Sequence, residues 1–294
     1  MGAQAAALLD AGGPVGDVPP PAPAVGRLRL EPPQPYALDA VARGHGGVGL
    51  APSAYDGARL HRVLRLPDGP LPVVVHPDLR VTWSRPTAHA DEVRRQLHTV
   101  LALEDDLTAL HDACDRVPAL RGARAAGAGR VLRAPTAFED LVGALSATNA
   151  SYAASRRRVA ALVDGAFPVP EDVARLGEDG LRARGWGYRA PALLHLARAA
   201  ADGGLAVERW RDRTVPDEEV LAGLRSLPGF GPFAAASALP LMGHRPRPVV
   251  LDGWLRRQGA DPGAYAAMGR WAGTGIWLAV TARRWGGGSG GRDR

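Results

Sequence analysis

Two helical patterns meet across eight residues, Leu227-Pro228-Gly229-Phe230-Gly231-Pro232-Phe233-Ala234, and no other stretch restricts the path of the chain as tightly. Before it, Val220, Leu221, Leu224 and Leu227 recur at helical spacing, so 217–225 reads as a helix; after it, 232–242 reads as another. Glycines at 229 and 231 allow a sharp reversal with close backbone approach, and Pro232 suits a first helical turn, where its missing N–H is not needed. The amino end of the second helix has unsatisfied N–H groups and a positive dipole end, so the corner can hold a phosphate, although Pro232 removes one donor. On its own, PGxG is no more than a tight turn. Gly229, Gly231 and Ala234 also fit G-x-G-x-x-A, with Asp252 21 positions after Gly231, where a ribose-binding acid would belong. A dinucleotide fingerprint must follow a buried strand, however, and Arg225, Ser226 and Pro228 precede these glycines, which leaves a nucleotide-dependent oxidoreductase a distant reading.

The rest of the chain divides by texture. Residues 1–25 are dominated by Ala, Gly and Pro and read as a flexible arm; 286–294 reads as a flexible tail, whose chance G-x-S-x-G has no strand-to-helix elbow around it. Over 26–90 the runs LRL, RLHRVLRL, LPVVVH and RVTW, separated by Pro and Gly, predict a small antiparallel sheet with a helix. Over 91–285 the spacing is helical, with Val93, Leu97, Val100 and Leu101 on one face and Leu107 and Leu110 on a second short helix. Further helices are predicted over 136–148, 152–164, 190–202, 253–258 and 264–284. A strand-rich front and a helix-rich back, without regular alternation, predict an α+β fold, mostly helical, rather than a doubly wound sheet.

Composition bounds the chemistry. Cys114 is the single cysteine of 294 residues, which excludes an intrachain disulfide, a multi-cysteine zinc site and a four-cysteine iron–sulfur cluster. All 36 Lys+Arg residues are arginine, so no lysine can form a Schiff base. His61, His76, His89, His98 and His111 show no metal-ligand spacing. A formal charge of +6 favours a polyanionic partner, and Arg156-Arg157-Arg158 reads as a solvated helix face that could also meet phosphate. No apolar run reaches the roughly 20 residues that span a bilayer, and the amino end lacks a basic segment, so a cytoplasmic protein without a membrane partner is expected.

The segment LPGFGPFAA, followed 19 positions after Phe233 by Asp252, resembles the hairpin, Gly/Pro-rich loop and aspartate of the helix-hairpin-helix DNA glycosylases. The resemblance runs through FEDLVGALSATNASYAASRRRV at 138–159 and GWGYRAPALLHLARA at 185–199, covering roughly the helical two-thirds of the chain. It implies a helix-hairpin-helix glycosylase domain preceded by a small antiparallel sheet, as in relatives of the oxoguanine and alkyl-purine glycosylases. It also implies a monomer acting on double-stranded DNA that contains a damaged base, without a cofactor, save for a structural monovalent cation that the hairpin could hold. A noncatalytic DNA-lesion binding module on the same fold is the alternative.

Residue by residue, the resemblance implies a DNA-binding hairpin of Gly229, Phe230, Gly231, Phe233 and Ala234, and a catalytic Asp252. As the residue that opens a helix, Asp252 is equally suited to be an N-cap, and both roles can hold together. A fixed carboxylate can stabilise oxocarbenium character on a sugar or orient water, by analogy with other glycosyl hydrolysis. Where bifunctional relatives carry a catalytic lysine this chain has Phe233, which implies hydrolysis without strand cleavage. Reaching a base inside duplex DNA requires flipping it out; Asn149 and Arg189 fall at orphan-base-contacting positions and Tyr188 at that of a wedge, although a capping amide and helix-start packing would also explain Asn149 and Tyr188. Ala154 stands where oxoguanine enzymes have an arginine that reads the opposite cytosine, and Ile276 and Val280 where they have a base-binding glutamine and a stacking phenylalanine. Phe233, Trp271 and Trp277 are the base-pocket candidates, with Trp186 a further aromatic; their faces could stack on a cationic alkylated base, or they could be ordinary core.

Overall fold

The computed structural model describes residues 17–18, 23–45, 47–243 and 245–282. The tail at 286–294 and most of the arm expected over 1–25 lie outside the described residues.

Five short strands form one antiparallel sheet: β1 (Gly26–Arg29), β2 (Ser53–Tyr55), β3 (Leu60–Leu66), β4 (Gly69–Val75) and β5 (Arg80–Trp83), in the order β1-β5-β4-β3-β2. β3 and β4 pair from Leu60 opposite Val75 to Leu66 opposite Gly69, around a two-residue turn at Pro67 and Asp68. Alternation sends Leu60, Leu64 and Leu66 of β3, and Leu71, Val73 and Val75 of β4, into one core. Two helices cover that core, α1 (Leu38–Arg43) through Leu38 and Val41 and α2 (Ala90–Val100) through Val93, Leu97 and Val100, so the sheet's core extends past residue 90 into the first helix of the back segment. β2 was not foreseen from sequence: Ser53-Ala54-Tyr55 is too short to show a period.

The helical body follows as α3 (Thr108–Cys114), α4 (Ala137–Ala147), α5 (Tyr152–Ala160), α6 (Pro170–Arg175), α7 (Gly177–Ala183), α8 (Ala190–Ala201), α9 (Asp217–Ser226), α10 (Pro232–Ala238), α11 (Gly253–Arg257) and α12 (Ala272–Val280). α4 begins where Thr136 accepts the Glu139 N–H at 3.2 Å, while the Glu208 carboxylate accepts from Ala137 N at 2.9 Å and Phe138 N at 3.1 Å. Three of the N–H groups that a helix start leaves unpaired are thereby satisfied. The α4 side chains Phe138, Leu141, Val142 and Leu145 then share a core with Leu193 of α8, Leu224 of α9 and Ala235 of α10.

Sheet and helical body are joined by a buried ion pair. Arg62 of β3 donates from Nη2 to both carboxylate oxygens of Glu139 on α4, each at 2.6 Å, and from Nη1 to Ser53 Oγ at 2.7 Å. Leu50 packs against both the sheet core and the helical core, beside this pair.

The long helix expected over 264–284 is broken. Pro262–Trp271 is 3-10 helix, and Gly269 takes φ 57°, a left-handed conformation that glycine adopts without steric cost but that no α-helix continues through. Only Ala272–Val280 is α-helical. The helix expected over 232–242 likewise ends as α-helix at Ala238, before a 3-10 turn at Leu239–Leu241 that contains Pro240.

Candidate active site

A cavity of about 610 Å³ opens where the hairpin, α4, α11, α12 and the sheet come together. That is the size of a small-molecule pocket. The hairpin forms one wall. Phe230 N donates to Leu227 O at 3.0 Å to close the turn, and Gly229 holds φ 84°. Positive φ favours glycine at 229, and a Cβ there would also lie 2.7 Å from Leu145 Cδ1 and displace that side chain. Pro228, Gly229, Gly231 and Pro232 are exposed at the corner, while the Phe230 side chain is buried in the helical core. Phe230, expected within the hairpin, thus anchors it from beneath through its buried side chain. Backbone carbonyls are the donors that the corner itself offers a cation, and among the described residues no His, Cys, Asp or Glu cluster could hold a metal ion.

Asp252 faces the same cavity from the start of α11. It is half-buried, and its Oδ1 accepts the Leu255 N–H at 2.8 Å as an N-cap. Among the described residues Oδ2 accepts no hydrogen bond. Capping therefore engages one oxygen and fixes the plane of the carboxylate.

The remaining wall is aromatic and cationic. Phe233, at the start of α10, and Trp277 of α12 line the cavity, and Trp277 is held by a bond from Nε1 to Gly44 O at 2.8 Å and by the Trp254 ring, 5.9 Å away between centroids. Between these walls sits Arg247. Its guanidinium carbon lies 5.1 Å from the Phe233 ring centroid and 4.8 Å from that of Trp277, and Nη2 donates to Ser237 Oγ at 2.9 Å. Burial lowers the Arg247 guanidinium to about 10, with Asp252 acting in the opposite direction, so the side chain keeps its charge at neutral pH. Sequence reasoning missed Arg247. In the run Arg245-Pro246-Arg247-Pro248 nothing local distinguishes a solvated arginine from a buried one.

Trp271 and Trp186 do not belong to this wall. Trp271 immediately precedes α12, six positions before Trp277 and so pointing to a different side of the helix; it packs with the cluster around Met268 and Leu278 and is not among the residues lining the large cavity. Trp186 is fully buried in the helical core, so it offers no stacking face. Ile276 is buried beside Trp254 and Trp277.

Asn149 lies on the cavity rim, exposed, in a left-handed conformation with φ 45° that asparagine tolerates better than most residues. The Arg189 side chain is buried beneath it. Arg189 donates from Nε to Thr148 Oγ1 at 3.2 Å, and from Nη2 to the carbonyls of Thr148 and of Asn149, the latter at 3.2 Å. The structure therefore places Arg189 as a buried support of the Asn149 turn, with Nε and Nη2 engaged by Thr148 and Asn149. Tyr188 projects beside it, 66% exposed, with the Arg189 guanidinium 4.2 Å from its ring centroid. Corner, acid, aromatic wall and rim thus surround one opening.

No protein-family model matches the chain, and no curated protein matches it. Solved structures do. A 3-methyladenine DNA-glycosylase from Archaeoglobus fulgidus is 18% identical, with a TM-score of 0.63 over 89% of this chain and 99% of that one. MBOgg1 in complex with a low affinity DNA ligand is 16% identical, with a TM-score of 0.59 over 77% of this chain and 85% of that one. An 8-oxoguanine glycosylase/lyase from Clostridium acetobutylicum in its apo form is 18% identical, with a TM-score of 0.57 over 74% of this chain and 88% of that one. The likeness is one of fold, and in the first case it extends over sheet and helical body alike. Front sheet, helical body and glycine corner together give this chain the fold of the helix-hairpin-helix DNA glycosylases.

Proposed function

We propose that the protein is a monofunctional DNA glycosylase, which flips a damaged base out of duplex DNA into the cavity and hydrolyses its bond to the sugar. One observation carries the reading: the exposed glycine corner and the half-engaged Asp252 carboxylate line the same opening. The corner would hold the sugar-phosphate strand through backbone N–H groups, with the exposed Arg256 and Arg257 of α11 nearby to neutralise phosphate. Tyr188 and Asn149 on the rim would fill the gap left by the extruded nucleotide and support the orphaned partner. As the C1′–N bond lengthens, positive charge builds on the sugar, and the fixed Asp252 carboxylate stabilises it or orients the attacking water.

Hydrolysis without strand cleavage follows from the absence of lysine in the whole sequence and from Phe233 at the hairpin. Duplexes carrying different damaged bases, incubated with the protein and then treated with alkali, test the reading. Strand breaks that require alkali support it; specific binding without turnover across the panel would indicate the noncatalytic lesion-binding alternative. Borohydride should trap no efficient covalent adduct with the DNA, and efficient trapping would overturn the monofunctional assignment.

A further inference from the structure

Arg247 has no task in the hydrolysis just described, yet it occupies the wall on which a flipped base would lie. Its partners set it apart. Arg43, Arg62, Arg133 and Arg245 are equally buried, and each forms an ion pair, with Asp39, Glu139, Asp105 and Asp217 respectively. Buried Arg130 and Arg189 donate to backbone carbonyls. Arg247, 3% exposed, has one hydroxyl, Ser237 Oγ, as its only side-chain hydrogen-bond acceptor among the described residues. Donors of the guanidinium therefore remain for a group inside the cavity, and a buried charge without such a group is costly.

We propose, resting on the glycosylase reading above, that Arg247 is the specificity-determining residue of the cavity and selects a neutral base with carbonyl or ring-nitrogen acceptors, such as an oxidised or deaminated purine, over a base carrying a fixed positive charge. Three arguments converge on this. The guanidinium already lies over one face of the Phe233 ring and one face of the Trp277 ring, faces that would otherwise attract a cationic ring. A second cation in the cavity would be repelled by Arg247, and Asp252, the carboxylate that acts on Arg247 there, would be shared between them. The planar fork of an arginine matches two adjacent acceptors on a base edge.

The chemistry points the same way. When the C1′–N bond of a neutral base breaks, the electron pair leaves with the base, which becomes an anion; water oxygen bonds to C1′, and its proton passes by way of Asp252 to solvent. The departing anion later takes a proton from solvent. Arg247 transfers no proton but holds the developing negative charge. A cationic alkylated base leaves as a neutral molecule and draws no such help. The aromatic wall is thereby turned away from the cationic alkylated bases that its tryptophan suggested from sequence.

Single-turnover excision by the full chain tests this, on duplexes carrying 8-oxoguanine, hypoxanthine or the cationic 7-methylguanine, with wild type and Arg247→Met. Wild type should accelerate release of the neutral lesions over their spontaneous loss by a larger factor than that of 7-methylguanine, and Arg247→Met should slow the neutral lesions by about 100-fold while sparing 7-methylguanine. A larger acceleration over spontaneous loss for 7-methylguanine than for the neutral lesions in wild type, or equal slowing of all three by the variant, would overturn the proposal. Arg247→Lys keeps the charge without the fork and should recover part of the loss. Unchanged affinity for a duplex with an abasic analogue shows that the variants fold. If no duplex loses a base, the glycosylase reading fails and equilibrium affinity decides separately. Wild type should then hold the 8-oxoguanine duplex about tenfold more tightly than the 7-methylguanine one, a preference that Arg247→Met erases; equal wild-type affinities overturn the selection by Arg247.

Discussion

Arg189 donates to the Asn149 carbonyl at 3.2 Å from a position 40 residues further along the chain, so the left-handed turn that carries Asn149 is held from below by a buried guanidinium. The same side chain bonds the hydroxyl and the carbonyl of Thr148. One arginine thus ties the start of α8 to the loop between α4 and α5, where the proposed DNA-facing rim is built.

Removing Arg189 should loosen that rim. Arg189→Met leaves buried acceptors without donors and is expected to cost about 1–3 kcal/mol of stability by urea unfolding. Affinity for a lesion duplex should fall as well, with partial recovery in Arg189→Lys. A stability loss with unaltered duplex affinity would separate the Asn149 turn from DNA binding.

The two roles of Asp252 can be pulled apart because asparagine caps helices about as well as aspartate. Asp252→Asn should keep the thermal midpoint close to wild type while reducing single-turnover base release by about 100-fold or more. Asp252→Ala should lose the activity and, in addition, about 1 kcal/mol of stability. Base release by Asp252→Asn at the wild-type rate would remove the carboxylate from the chemistry.

The Arg62–Glu139 pair is the buried connection between sheet and helical body. Arg62→Met leaves the Glu139 charge buried without its partner and is expected to cost about 3–5 kcal/mol, read as a lower midpoint in urea. Replacing both, as Arg62→Met with Glu139→Leu, should return much of that loss, since two apolar side chains leave no charge stranded. A double variant no more stable than the single one would contradict this account.

Asp56, in the turn between β2 and β3, gives a pH dependence of known sign. Burial pushes its carboxyl up, but hydrogen bonds from Arg59 N at 2.7 Å, His61 Nε2 at 3.1 Å, Ala58 N at 2.9 Å and Arg59 Nε at 2.7 Å outweigh burial and hold it well below the usual carboxylate range. A depressed folded-state value means that its stabilisation is fully present above the unfolded value of about 3.9 and is lost as pH falls below it. The stability gap between wild type and Asp56→Asn should therefore be constant near neutrality and close in acid. A gap that widened on acidification would reverse the sign.

Much of the architecture was legible in the residues. Alternation in RLHRVLRL and LPVVVH reports a half-buried strand, and the spacing of Leu141 and Leu145, or of Val220 and Leu224, reports a helix, because both patterns repeat over distances shorter than the element itself. The hairpin was legible for the same reason: proline and glycine act on their own backbone, whatever packs around them. Even Asp252 was marked locally, by its place before an apolar helix start.

Tertiary structure decided the side chains whose surroundings come from distant segments. Trp186, Trp271 and Trp277 are alike in sequence, yet one is core, one packs outside the cavity and one forms its wall, a difference made by which segments lie opposite each ring. Arg189 is marked in the sequence only by a resemblance and Arg247 by nothing, until Thr148, Phe233, Ser237 and Trp277 are brought around them. Backbone preference depends on a few neighbouring residues and can be read along the chain. The burial and pairing of a charge depend on everything within a few ångströms, and only the folded chain settles what that is.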